Sequence, residues 1–414
     1  MRSKRTKTFG TLCAATLLLS ACGGGSDSGG GGGSGEAIKL GVLTSLSGVG
    51  TAGFTGVEDG VNARLEAYKA DNGECADRGF DVVTADDTST PQGALSAVQK
   101  AVQQDEVYAL LNVSSFFFGA AQFMTTQGAG TPVLGGGFDS APQWTAPTSK
   151  NLFPAPPVAD YSDVYSTIGE YHKSIGVTKL AGVGYDVRSA SNSVLAALVS
   201  AEAAGVEKGY VNITVPYGTT DVGAIVLGII ESGSDGVYLS MTPDTGFAIV
   251  AGLRQAGYEM KSIIVATGYG ADLLESPPAV EAGQGASFQT SFAPVELHTE
   301  ATDYLSAALK KYAGSESGIP SFSQASGWMA ADLFLHGLEA AGCDATQEEF
   351  MSTLREDNSW DANGLLPKAV DYTQPGGGPT PCTYISTLEG SEFVPAPAAS
   401  PACGESLGEG VPGA

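Results

Sequence analysis

The run Ala37-Ile38-Lys39-Leu40-Gly41-Val42-Leu43-Thr44 is apolar at nearly every position and has the length of one strand. A strand that does not alternate polar with apolar is covered on both faces, which is the pattern of a parallel sheet sandwiched by helices. A glycine- and serine-rich loop follows, and from Gly56 to Ala70 the apolar residues Val57, Val61, Leu65 and Tyr68 recur at helical spacing. Phe80–Thr84 reads as a second strand with Asp86-Asp87 at its end. Pro91–Gln104 reads as a helix carrying proline in its first turn, where the missing N–H is harmless. Val107–Val113 and the short Pro132–Leu134 complete a first set of strands.

The alternation then starts again. Helices over 161–174, 193–204, 222–231 and 246–256 lead to strands over 179–183, 210–215, 236–239 and 262–265. Strands spaced by helices in this way are βαβ units, and there are too many for one small sheet. The break falls at 152–158, where Pro154, Pro156 and Pro157 exclude a central strand or a helix interior. A strand over 286–292 followed by Pro294 suggests a second crossing. Helices over 300–312, 325–341 and 347–355 come next, then a strand over 383–386. The fold class is therefore α/β, with two Rossmann-like lobes of parallel sheet. The expected organisation is lobe I over 37–154 and 292–365, lobe II over 155–291 and 366–394, and a loosely ordered tail over 395–414.

Ahead of this lies Arg2, Lys4, Arg5 and Lys7, then a short apolar segment ending in Leu19-Ser20-Ala21-Cys22. Basic residues before a short apolar core are the layout of an export signal, too short to span a bilayer. Its end resembles the lipoprotein signal of bacteria, which implies a leader over 1–21 and a lipid on Cys22. The glycine- and serine-rich stretch within 22–36 reads as a flexible tether. The protein is expected on the extracellular face of the cell membrane.

With 20 basic and 45 acidic residues the chain carries a net charge of −25, which argues against nucleic acid as a partner. His172, His298 and His336 stand far apart without metal-ligand spacing, so neither metal nor cofactor is expected. Cys75, Cys343, Cys382 and Cys403 are an even number in an exported chain and are disulfide candidates. Three pairings are open. Proximity in sequence leans to Cys382–Cys403, which would leave Cys75–Cys343.

In parallel α/β sheets ligands sit beyond the carboxyl ends of the strands. That directs attention to the loops 45–54, 114–119, 135–140, 185–192, 241–245 and 267–271. Gly48-Val-Gly50-Thr-Ala-Gly53 matches the dinucleotide fingerprint in form only, since no acid ends a second strand at the right distance. A plain glycine turn explains it better, as a capped strand-end turn explains Asp86-Asp87.

The order of strand, Thr44-Ser-Leu-Ser-Gly48, helix, Asp86-Asp87, Pro91 and Asp105-Glu-Val-Tyr-Ala-Leu-Leu resembles the solute-binding proteins of ABC importers in the leucine/isoleucine/valine-binding group. The likeness runs from about Ile38 to about Leu388 and implies the type I periplasmic binding protein fold. In it two lobes, joined by three crossovers, close on a small molecule. By that resemblance Ser115 offers a hydroxyl to a ligand carboxylate, joined by Gly137, Phe138 and Asp139. Trp328 and Phe54 wall the pocket from lobe I, and Tyr185, Ser189 and Thr242 approach from lobe II. Phe116, in the run Phe116-Phe117-Phe118, would enlarge the apolar wall.

Where amino-acid binders of the group hold a carboxylate for the ligand's ammonium, this chain reads Ala266-Thr-Gly268-Tyr269-Gly. An ammonium buried without a counter-charge costs several kcal/mol, so either Asp139 or Asp186 substitutes or the ligand has no amine. The expected ligand is hydrophobic or aromatic, a carboxylate or amide rather than a free branched-chain amino acid. The resemblance further implies permease subunits of an ABC importer as partners, a monomer, and no enzymatic activity. The rival readings are a sensor domain for a signalling partner and a lipid-anchored hydrolase using Ser115.

Overall fold

The computed structural model describes residues 36–159, 161–398 and 400–411. The leader, Cys22 and all but the last residue of the tether lie outside the described residues.

The first apolar run forms β1 (Ile38–Thr44). It pairs in parallel with β2 (Phe80–Asp86) on one side and β3 (Ala109–Asn112) on the other. β4 (Val133–Gly135) and β5 (Leu152–Pro154) extend the sheet, giving the order β2-β1-β3-β4-β5. Pro154 is tolerated because β5 is the edge strand, where one row of N–H groups has no partner to lose.

The second sheet contains β6 (Lys179–Tyr185), β7 (Glu207–Val215), β8 (Gly236–Ser240), β9 (Ser262–Val265) and β10 (Ser287–Thr290), all parallel. β11 (Cys382–Glu389) and β12 (Glu392–Pro395) add an antiparallel edge, so the order is β12-β11-β10-β9-β8-β6-β7. The chain passes between the sheets after β5, after β10 and before β11. Between the second and third passages, helix Phe322–Ala341 packs on helix Val57–Ala70, β3 and β4 of the first lobe.

Those two helices approach unusually closely. A Cβ at Gly60 would lie 2.0 Å from the Gln324 carbonyl oxygen, and one at Gly327 would lie 2.2 Å from that of Val57. Beside this contact the buried Arg64 Nε donates to Asp332 Oδ1 at 2.6 Å, while Trp360 Nε1 donates to Asp332 Oδ2 at 2.8 Å. The guanidinium also lies 5.5 Å from the Trp328 ring centroid.

Two sequence readings are corrected here. The helix expected from 161 begins only at Thr167, and the stretch 395–411 is not a loose tail. Val164 N–H donates to the Glu409 carbonyl and Leu407 N–H to that of Val164, both at 2.8 Å. Val411 N–H reaches the Tyr161 carbonyl at the same distance. Residues 161–166 spend their backbone groups on the C-terminal segment, which is why the helix starts late. β13 (Ala402–Cys403) pairs with the start of β11, and the disulfide Cys382–Cys403 joins the two. A second disulfide links Cys75 to Cys343.

Asp332→Ala should strip Arg64 of its buried counter-charge and lower stability by about 3–5 kcal/mol, read from urea denaturation. A loss below about 1 kcal/mol would show that the pair is not a keystone of the first lobe.

Candidate functional site

The carboxyl ends of both sheets face a cleft with a cavity of 540 Å³, within the roughly 300–1,000 Å³ usual for small-molecule sites. Each of the six strand-end loops contributes to its lining.

On lobe I the loops are tied together by Asp87, which is fully buried. Its carboxylate accepts from Ser45 Oγ at 2.7 Å, from Ser89 N–H at 2.7 Å and from the Ser114 hydroxyl. Burial pushes its carboxyl above the usual range, and these three donors work against that push. Ser114 also accepts from Phe116 N–H at 2.9 Å, which fixes the turn that presents Ser115. The Ser115 hydroxyl lines the cavity and has no hydrogen-bond partner among the described residues. Next to it, Phe138 stands between Phe54 (centroids 6.3 Å, stacked) and Phe322 (5.4 Å, edge-on), giving lobe I an aromatic wall.

Lobe II supplies the opposite wall. Tyr185 stacks on Tyr217 with centroids 4.2 Å apart, and its hydroxyl is bonded to Thr242 Oγ1 at 2.6 Å and Thr245 Oγ1 at 2.8 Å. The burial of Tyr217 pushes its phenol up to about 12, so both rings are neutral apolar surfaces at ordinary pH. Ser189, Thr242, Gly268 and Tyr269 line the same cavity. Tyr269 is deeply buried, donating its hydroxyl to Glu296 Oε2 at 2.7 Å and accepting from Val295 N–H at 2.9 Å. It presents only part of its ring.

Four residues expected in the pocket are elsewhere or differently used. Trp328 is 2% exposed and lies against Tyr304 and Arg64 inside lobe I. The face of its helix that meets helix Val57–Ala70 carries it inward, and Phe322 near the helix start reaches the cleft instead. Phe116 is buried beside the loop of Gly50 and Ser89. Of its neighbours, Phe117 packs on Trp144 at 5.2 Å and Phe118 is exposed, so none of the three lines the cleft. Gly137 lines an adjoining cavity rather than this one. Asp139 is sealed in lobe I, where its Oδ1 accepts from Trp144 Nε1 at 2.7 Å. With no cation beside it, burial pushes its carboxyl up to about 7.

The loop after β9 carries no acid at Gly268. Gly268 has φ +120, and a Cβ there would lie 2.9 Å from both Phe288 and Pro243, so this position cannot hold an acid. Asp272, four residues on, lines the cavity together with Glu275 and with Asp59 from lobe I. Asp272 is open to water yet flanked by protein, and that partial desolvation raises its carboxyl above the usual range. Asp186 does not line the cavity, nor does any lysine, arginine or histidine among the described residues. His172 is buried in lobe II, His298 pairs with Asp303 and His336 with Asp357, so Ser115 has no imidazole at the cleft.

Tyr217 and Phe322 escaped the sequence reading, although both carry a signal. Tyr217 follows the carboxyl end of β7, and Ser321 with Gln324 forms a capping box that marks the helix start one residue before Phe322.

A family model described as periplasmic binding protein matches residues 37–392. The fold is shared with a branched-chain amino acid ABC transporter protein from Thermus thermophilus with bound valine. That likeness has a TM-score of 0.73 at 18% identity, over 87% of this chain and 96% of that one. It is shared too with a solute-binding protein from R. palustris in complex with benzoate (TM-score 0.69, 18% identity, 90% and 97% covered). A fatty acid ABC transporter substrate-binding protein from Thermomonospora curvata matches at TM-score 0.69 and 20% identity, with 91% and 97% covered. No curated protein matches by sequence. The chain belongs to the periplasmic binding protein family.

The Asp139 carboxyl sets a pH dependence of stability. The unfolded chain releases this proton near 3.8 and the folded chain near 7. The folded form therefore gains fully below about pH 4 and loses that gain as pH rises to about 7, by up to about 4 kcal/mol. Asp139→Asn should remove this fall, so the stability difference between wild type and variant should change across that window in denaturation series. A constant difference would place an ionised carboxylate at 139.

Proposed function

We propose that this member of the periplasmic binding protein family captures a small, largely apolar solute between its lobes and delivers it to an ABC importer. The observation that carries the reading is one cavity walled by Phe54, Phe138 and Phe322 from one lobe and by Tyr185 and Tyr217 from the other, with the free Ser115 hydroxyl at its side. Aromatic walls supply apolar area, and a few fixed polar groups orient the ligand. A lipid on Cys22 would hold the protein at the outer face of the cell membrane, and the permease would read the closed form.

The charges of the lining narrow the ligand's polar end. Asp59, Asp272 and Glu275 are all acidic, and a lone carboxylate would meet only hydroxyls and backbone N–H groups there. This favours a neutral amide or an amine-bearing, amino-acid-like group over an aromatic or aliphatic acid. Structural neighbours with bound valine or benzoate, and a fatty acid transporter's substrate-binding protein, support a frame that takes different solutes according to its lining.

A thermal-shift panel of branched-chain amino acids, aromatic acids and hydrophobic amides tests the reading. Specific ligand at a hundredfold excess over Kd should add about 2.7 kcal/mol of stability. Ser115→Ala should weaken that ligand by about three- to tenfold, the worth of one hydrogen bond, and Tyr185→Ala by more. A stabilising ligand whose Kd ignores both substitutions would place the site outside this cleft. Binding confined to aromatic acids would overturn the preference for an amide or amine.

A further inference from the structure

Behind the cleft lies a second cavity of 370 Å³, and Phe138, Tyr161, Thr267, Gly268, Tyr269 and Phe322 line both. The two chambers therefore adjoin, with these residues between them. The rear chamber is walled by all three crossovers: Val158 and Val164 from the first, Phe292 from the second, Leu366 and Thr380 from the third. Met329 closes it from the long helix of lobe I. Its polar features are mostly self-satisfied. Tyr238 donates to Gln289 Oε1 at 3.0 Å and shares a hydrogen bond with Ser193 Oγ at 2.9 Å, while Asp163 and Lys368 contribute opposite charges to the lining.

We propose that the solute is elongated, with its polar end between the aromatic walls and a flexible apolar chain passing between Phe138 and Tyr269 into the chamber between the crossovers. The inference rests on the interlobe cleft being the binding site and adds the shape of its substrate. A compact solute held by Ser115 and the tyrosine pair fills the front chamber only. The rear walls offer mostly carbon surface to a methylene chain, with the charges of Asp163 and Lys368 on the lining. A chain lodged there touches the three segments that bend when lobes close, so its length also bears on closure.

Isothermal titration of the full chain with straight-chain acids and amides, from butanoyl to decanoyl, tests this. Affinity should rise about fourfold per added methylene, equivalent to about 0.8 kcal/mol, and level off once the rear chamber is full. Ala196→Phe fills that chamber from a partly buried position on helix Arg188–Ala203. It should weaken the decanoyl compound by about tenfold or more and leave the butanoyl compound unchanged. Thr380→Phe, from the third crossover, should do the same and guards against a folding defect in the first variant. Affinity that is flat in chain length, or binding of leucine-sized compounds with decanoyl ones excluded, overturns the elongated substrate and leaves the cleft reading standing. Absence of binding by every compound in both panels overturns the cleft reading and this inference together.

Discussion

Parallel strands all finish at the same edge of their sheet, and that constraint shapes this molecule more than any single contact. Five parallel strands in one lobe and five in the other deliver their loops to facing edges, so residues from 52 to 324 meet in one cleft. The loops could still splay apart. Asp87 prevents this in lobe I by gathering hydroxyl and amide donors from the loops after β1, β2 and β3 around one buried carboxylate. In lobe II the bonds from Tyr185 to Thr242 and Thr245 join the loops after β6 and β8 in the same way. The polar network at the sheet edge is thus structural, and what it leaves unpaired, such as the Ser115 hydroxyl, is what a ligand can use.

Much of this was legible because burial on both faces of a strand leaves an apolar run, and Gly, Ser and Asp mark where the run ends. The loops that line the cleft follow directly from that pattern. What each side chain does within its loop does not. Phe116, Phe117 and Phe118 are chemically identical and consecutive, yet two are buried and one is exposed, because a turn points successive side chains in different directions. Trp328 and Phe322 sit on one helix, and only the packing of that helix against Val57–Ala70 decides which faces the cleft. The C-terminal segment misled for a related reason. Its proline- and glycine-rich composition predicts little internal structure, but its backbone is satisfied by residues 161–166, more than two hundred positions away in sequence.

Asp139 and Asp272 show how one residue type takes opposite parts within a single site region. Asp139 is walled in beside Trp144 without a cation, and the cheapest state for it is neutral. Asp272 remains in contact with water, where an ionised carboxylate is tolerable and available to a ligand. The family resemblance implied a site role for the first, while the second stands one residue beyond the strand-end loop 267–271. The φ of Gly268 explains the displacement, since the chain there turns through a conformation and a space that admit no side chain.

The division of the aromatic wall between lobes bears on how binding becomes a signal. A ligand shifts a conformational equilibrium only by the difference in its affinity for the two states. If all the apolar area lay on one lobe, a solute would bind the open form as well as the closed one, and a permease would learn nothing from it. Here Phe54, Phe138 and Phe322 stand on one lobe and Tyr185 and Tyr217 on the other, so a solute buries its second face only when the lobes approach. In the capture proposed for this chain, the area gained on closure, rather than the total area touched, would drive the change of state.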